Sequence, residues 1–341
     1  MICYFSNWAG LRSGEGKFLP ENVDGRLCSH VVYAFAKLDE DSLSLTPSGP
    51  RSDLDEKFYQ RLVDVVKRTN PSARVLLSVG GWSDSGGDKY SRLVNNKTSR
   101  AHFVSESLRF LELHRFDGLV VEWHFPVCWQ SDCARGPQQD RAGFTNLIQE
   151  LRAEFAERNL TLGATLSGYK EVIDEAYDVR RLGEALDFMN IMTYDFRGFW
   201  DSQTGHHSPL YGDPGDESPN YNTDSVLRYY LSQGAPRSKL IVGIPFYGQA
   251  FTTSSTPTGA YRQDTAGPGK PGTWTKQRGM LAFYEICSKG GSQPGVEMFQ
   301  EIILLCLSCW TTEASTTLEK VWRWQARPLR GELQREAVGG L

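Results

Sequence analysis

Apolar runs and amphipathic stretches alternate from the first residue onward. Strand-like runs cover residues 2–8, 30–36, 74–79, 119–123, 160–166, 188–194 and 240–246. Between them, Leu54, Phe58, Leu62 and Val65 recur at helical spacing, and Val104, Leu108 and Leu111 share one helical face. Phe144, Leu147, Ile148, Leu151 and Phe155 give the clearest amphipathic helix, and a further helix is predicted over about 224–233 behind a Thr223-Asp224 cap signal. Strands alternating with helices predict parallel pairing, and seven or eight such units predict an α/β barrel closed on itself. In such barrels chemistry sits at the carboxyl ends of the strands. No internal repeat is visible.

The pattern changes after Thr252. Residues 252–275 are rich in Thr, Ser, Pro and Gly without a period, and we read an insertion at the barrel mouth over about 252–280. From 290 to 341 charged and small residues mix without periodicity, and no clear eighth strand appears. The domain reading is therefore a barrel over 1–289 and an anomalous tail over 290–341.

Composition narrows the function classes. With 37 Lys and Arg against 41 Asp and Glu, the net charge is −4, which lacks the basic surplus that phosphate neutralisation wants, so no nucleic-acid partner is expected. The most apolar stretch, 302–307, is far shorter than the roughly 18 residues of a membrane span, so no membrane partner is expected either. Aromatics reach 12% with nine Trp, which suits either a large core or a cleft that stacks sugar rings. Met1 leads straight into a strand-like run with no secretory signal, yet seven cysteines and the sequons at Asn96 and Asn159 favour a piece of a longer, secreted, glycosylated chain. No metal or cofactor is expected, because no His or Cys cluster has zinc spacing.

Several strand-end segments together carry a resemblance. Cys3-Tyr4-Phe5-Ser6-Asn7-Trp8, the run from His30 to Phe35, Ser78-Val79-Gly80-Gly81-Trp82, Phe116-Asp117-Gly118-Leu119, Met192-Thr193-Tyr194-Asp195 and Gly243 to Phe251 occur in order. In that order they resemble family 18 glycoside hydrolases, the chitinases and chitinase-like proteins. Pro126 to Gln130 with Cys133 is most similar to domains of large multi-domain arthropod chitinases. The resemblance implies a (β/α)8 TIM barrel, a chitin or chitooligosaccharide ligand, and further chitinase or chitin-binding domains in a parent chain.

The family pattern on the fourth barrel strand is Asp-x-x-Asp-x-Asp-x-Glu. Its terminal Glu protonates the leaving glycosidic oxygen, and the Asp two residues earlier orients the N-acetyl group whose carbonyl oxygen attacks the anomeric carbon, in place of the usual second carboxylate. Here the row reads Asp117-Gly118-Leu119-Val120-Val121-Glu122-Trp123-His124. Asp117 matches the first position, Val120 replaces the middle Asp, Glu122 takes the acetamide-orienting place one methylene longer, and His124 stands where the acid should be. An unperturbed imidazole titrates near ~6.5, so a protonated fraction exists in mildly acid medium, but its donor nitrogen has a different reach and angle. His124 also reads simply as a hydrogen-bonded histidine at a strand end. Glu122 as the acid would sit about one layer lower on the same interior-facing side.

By the same resemblance, Tyr4, Phe35, Trp82, Glu122, Met192, Tyr194, Asp195 and Tyr247 line the cleft, where aromatic faces suit pyranose rings. Core packing explains Phe35 and Met192 equally well. Gln249 stands where the family often has Arg, and Val321-Trp322 is the nearest match to the eighth-strand Trp. Cys3 and Cys28 match a family disulfide, and Cys128 with Cys133 is open between a small disulfide loop and a metal site. Cys287 is left with Cys306 or Cys309 as partners. Three functional readings follow: a chitin-binding relative that does not hydrolyse, an active chitinase with unusual acid chemistry, and a truncated non-functional product.

Overall fold

A computed structural model of the chain describes residues 1–48, 52–213, 215, 218–254 and 262–289. These form two compact units, one of Met1–Gly198 with His206–Pro245 and one of Phe199–Gly205 with Phe246 onward. The 290–341 tail, with Cys306, Cys309 and Trp322, lies outside the described residues.

The first unit is built on β1 (Ile2–Ser6), β2 (His30–Leu38), β4 (Arg74–Gly80), β5 (Gly118–Glu122), β6 (Thr161–Leu166), β7 (Phe188–Ile191) and β8 (Leu240–Val242), parallel and in that order, with β3 (Leu45–Pro47) antiparallel on β2. The helices α1 (Ser52–Thr69), α2 (Lys89–Asn95), α3 (Lys97–His114), α4 (Gln139–Glu157), α5 (Lys170–Ala176), α6 (Val179–Ala185) and α7 (Thr223–Ser232) fall between the strands. None of the described helices is long and apolar enough to cross a membrane.

The sheet curls back on itself. The Tyr4 hydroxyl on β1 accepts a 2.6 Å hydrogen bond from Asn190 on β7 and lies 3.1 Å from Thr165 Oγ1 on β6, although neither strand is its neighbour. Side-chain alternation explains what fills the curl. Val32, Leu76, Val120 and Phe188 form one buried apolar cluster inside it, joined by Ile2 and Ile241. The opposite parity of β5, Leu119 and Val121, belongs to the larger core that receives Phe103, Phe144, Ile148, Leu151 and Phe155 from the helices. Each such fully buried side chain contributes on the order of 1.5–3 kcal/mol relative to exposure.

Several local details depart from the periodicity reading. Trp8 leaves the strand for a 3-10 turn, Asn7–Leu11, and β7 stops at Ile191, before Tyr194. The start of α7 is capped by Asn222, whose side chain accepts from Ser225 N at 2.9 Å, not by the Thr223-Asp224 pair. Asn outcompetes the expected cap because its carboxamide oxygen reaches the third free N–H of the first turn. Cys3 is bonded to Cys28 and Cys128 to Cys133.

Strand β5 is held tightly on both sides. A Cβ on Gly118 would meet the Thr161 carbonyl oxygen at 2.0 Å, so only glycine permits this approach of β5 to β6. Asp117, just before β5, accepts from Val75 N at 2.7 Å and pairs with Lys67 at 2.7 Å. The chain leaving β5 is pinned by Asp140 in the first turn of α4. That fully buried carboxylate accepts from Ser91 Oγ and Asn95 Nδ2 at 2.6 Å, Trp129 Nε1 at 2.9 Å and Val127 N at 3.3 Å.

The second unit contains two antiparallel pairs, β9 (Tyr247–Gln249) with β12 (Met280–Ala282) and β10 (Phe251–Thr253) with β11 (Thr265–Pro268), followed by α8 (Phe283–Lys289). A register shift between Thr252 and Thr253 breaks the alternation there, which is why this stretch reads as aperiodic in the sequence. Glu285 organises the unit. Only 2% exposed, it accepts from Trp274 N at 2.6 Å, Thr275 Oγ1 at 2.7 Å, Thr275 N at 2.9 Å and Ala282 N at 3.0 Å. Burial pulls its carboxyl up, and the donors from Thr275, Trp274 and Ala282 outweigh this and hold it below the ordinary 4.5.

Two stability predictions follow. Because Glu285 binds its proton less readily folded than unfolded, its contribution is present above pH ~4.5 and is lost as pH falls through the depressed folded value. Glu285→Gln should lower unfolding free energy by on the order of 2 kcal/mol near neutrality and flatten the acid limb of the stability profile, measured by denaturant titration at several pH values. Asp140→Ala leaves buried donors unsatisfied and should cost about 3 kcal/mol, with faster hydrogen exchange over residues 126–136 than elsewhere.

Candidate functional site

The carboxyl ends of β4 and β5 meet through the glycine pair at 80–81. Both glycines have positive φ, 111° and 83°, which side chains rarely adopt. Gly81 N donates to Glu122 O at 2.8 Å, and a Cβ on Gly80 would stand 2.2 Å from that oxygen. Ser85 Oγ, 2.9 Å from both, accepts from His124 N and donates to Gly81 O. The turn after β4 thereby fixes both the end of β5 and the residue where the family acid would stand.

Glu122 and His124 are 7% and 8% exposed, with Nε2 of the imidazole 3.3 Å from Oε1 of the carboxylate. The imidazole meets Trp82 edge-on at 5.8 Å and packs against Phe125 at 4.8 Å. One layer below, Val120 is fully buried in the apolar cluster with Leu76 and Phe188, so no carboxyl adjoins Glu122 from beneath. Asp117, five positions earlier, is at the opposite end of the strand with Lys67. Of the four positions in the degenerate row, the structure brings Glu122 and His124 together, uses Val120 as apolar filling, and places Asp117 elsewhere.

Three phenols, Tyr4, Tyr194 and Tyr90, are raised above their ordinary value, each by burial first. Burial first, then the Glu122 charge, pushes the Tyr4 phenol well above its ordinary value, with Thr165 and Asn190 opposing. Tyr4 keeps 41% of its surface exposed while its hydroxyl is held inside the curl. Tyr194 is raised by burial and then by Glu122, Tyr4 and Asp195, and its ring fills the space that a Cβ on Gly243 would need. Tyr90 is raised by burial, by Asp84 and by Glu122.

The other expected cleft residues divide. Phe35 packs over Gly81 and stacks on Trp8 at 6.0 Å and 17°. Trp82 and Trp8 are 52% and 45% exposed, presenting broad aromatic surface. Met192 is buried and belongs to the core. Asp195 has φ 60°, and its Oδ1 lies 3.5 Å from His207 Nδ1. Tyr247 belongs to the second unit, opposite Ala282. Sequence reasoning missed Trp8, Ser85, Asp84 and His207. Trp8 carried a visible signal, an aromatic at the carboxyl end of a predicted strand, whereas the other three depend on contacts across the chain. Asp84, for example, accepts from Leu38 N, pairs with Lys89 and accepts from Tyr90.

Among the described residues no group of three or more His, Cys, Asp or Glu is arranged to hold a metal ion. Asn96 is exposed and caps α3, accepting from Thr98 N and Ser99 N, and Asn159 is exposed and contacted by Arg74. A depression of about 690 Å³ opens at the amino-terminal end of the strands, beside His30, Arg74, Arg152 and Asp187. It lies at the end of the sheet where barrels keep stability rather than chemistry, so the Glu122 end is the candidate site.

Comparison with known proteins identifies the family. The glycosyl hydrolases family 18 pattern matches residues 1–327. "Probable chitinase 10" of Drosophila melanogaster is 45% identical over 289 residues, 85% of this chain and 12% of that protein. Mouse "Chitotriosidase-1" is 38% identical over 84% of this chain and 61% of its own length, so the chain spans less than two thirds of either relative. Among solved structures, catalytic domain 2 of the Ostrinia furnacalis group II chitinase has a TM-score of 0.82 at 42% identity, covering 85% of this chain and 75% of that one. Human YKL-39, described as a pseudo-chitinase with retained chitooligosaccharide binding, has a TM-score of 0.75 at 36% identity, covering 84% and 77%. The parallel, curled α/β sheet, the strand-end segments and these matches agree: the chain belongs to the family 18 glycosyl hydrolases.

Proposed function

We propose that this chain binds chitin or N-acetylglucosamine oligomers in a cleft at the carboxyl ends of its strands and does not hydrolyse them. The observation that carries the reading is His124, which stands where the family pattern has its acid and is turned toward Glu122 at 3.3 Å. Transfer of a proton to a leaving oxygen needs hydrogen-bond geometry to that oxygen, and losing the acid typically lowers the rate by about 10²–10⁴-fold. Val120 adds to this: the valine is packed in apolar surroundings, so no carboxyl relay runs beneath Glu122. Tyr4, Phe35, Trp82, Tyr194 and Asp195 are the residues proposed to line the sugar site.

YKL-39 supports binding without turnover, and the Ostrinia furnacalis domain, also seen with penta-N-acetylchitooctaose, supports the ligand class. The two disulfides and the exposed sequon residues Asn96 and Asn159 support a secreted glycoprotein. The 12% share of the Drosophila relative supports further chitinase or chitin-binding domains in a parent chain.

Purified protein should be retained on chitin beads and give no turnover of a fluorogenic chitooligosaccharide. Turnover that disappears in His124→Ala would overturn the reading in favour of an active enzyme. Loss of both retention and cooperative thermal unfolding would favour the non-functional product. His124→Glu alone should leave turnover undetected, and detectable rate should require Val120→Asp as well, at a stability cost because that carboxyl enters an apolar cluster.

A further inference from the structure

Glu122 is a carboxylate, 7% exposed, whose counter-charge is poor. Among the described residues its ion-pair contact is the His124 imidazole alone, a group that is cationic only when protonated, and no Lys or Arg reaches it. Buried carboxylates elsewhere in the first unit are matched by many donors, as Asp140 is, or by an ammonium, as Asp84 is by Lys89 at 2.6 Å. Glu122 has neither arrangement. Its second oxygen makes no hydrogen bond to the protein's described residues, and the side chain ends β5 beside His124, which the exposed Trp82 meets edge-on.

A carboxylate taken out of water strongly favours a cation that brings several N–H donors with it. The surroundings sharpen that preference. Val120 beneath lies in an apolar cluster and supplies no polar partner to the carboxylate. Trp82 and Trp8 supply faces for pyranose rings. A sugar carrying a free ammonium satisfies both features at once, whereas a neutral acetamide offers one N–H and no charge.

We propose that Glu122, flanked by His124, is a reader of unacetylated amino sugar, so that the preferred ligand is partly or fully deacetylated chitin rather than the fully acetylated polymer. This rests on the sugar-binding reading above and refines its ligand class. Protonated His124 competes with the ligand's ammonium for the same carboxylate, so His124 weakens the preference rather than creating it.

The test compares the glucosamine tetramer with the N-acetylglucosamine tetramer by isothermal titration calorimetry on the whole chain, near neutral pH, at low and high salt. The glucosamine tetramer should bind at least about tenfold more tightly, equivalent to ~1.4 kcal/mol, with an advantage that shrinks as salt rises. Glu122→Gln, nearly isosteric and neutral, should bring the ratio of the two affinities close to one, and Glu122→Asp, which keeps the charge, should retain a preference. Thermal unfolding of each variant establishes that it is folded. Equal or tighter binding of the acetylated tetramer by the unmodified chain would overturn the amine reading while leaving chitin binding intact, as would a ratio unchanged in folded Glu122→Gln. Binding of neither tetramer would sink both readings.

Discussion

The close approach of β4 and β5 at their carboxyl ends is the contact on which the site depends. Gly81 N donates to the carbonyl of Glu122, and the space beside Gly80 leaves no room for a side chain. Ser85 extends the same clasp to the backbone of His124. With the strand ends fixed this way, alternation dictates the rest: Val120 and Glu122 face the interior of the curl in successive layers, while Leu119 and Val121 face the helices. Trp82, one residue past the glycines, lies against the imidazole as a consequence of the same turn.

That scaffold is indifferent to which chemistry it carries. The clasp uses backbone atoms, two glycines and a serine. Valine is well suited to its place, because its neighbours Val32, Leu76 and Phe188 form a dry layer that would penalise a carboxylate. Histidine is accommodated because Glu122 and two aromatic rings surround it. The chain thus keeps the family 18 fold with valine at position 120 and histidine at position 124.

Loop and polar architecture follows a second rule, that buried carboxylates in this chain act as fasteners. Asp140 ties the segment after β5 to α2, Asp84 ties the turn after β4 to β2 and α2, and Glu285 ties the loop at 272–275 to its own helix. Each is surrounded by N–H and O–H donors. Glu122 departs from that rule, since a single imidazole faces it. The contrast between fastened and unfastened carboxylates sets Glu122 apart from the structural acids.

The alternation of strands and helices, the parallel pairing and the main core helices were legible in the sequence because period-2 and period-3.6 patterns are local properties of the chain. The degenerate row from Asp117 to His124 was legible for the same reason, as residue types at fixed spacing on one strand. Short elements such as α2, α5 and β3 carried too few residues for a period, and the register shift at Thr252–Thr253 erased the alternation of β10. The tertiary structure alone decided that Asp117 pairs with Lys67 away from the site, that Met192 is core, that Trp8 stacks on Phe35, and that no lysine or arginine from elsewhere in the described chain reaches Glu122. Those outcomes depend on which strands become neighbours and how closely their ends approach, and contacts between residues tens of positions apart leave no periodic trace in the chain.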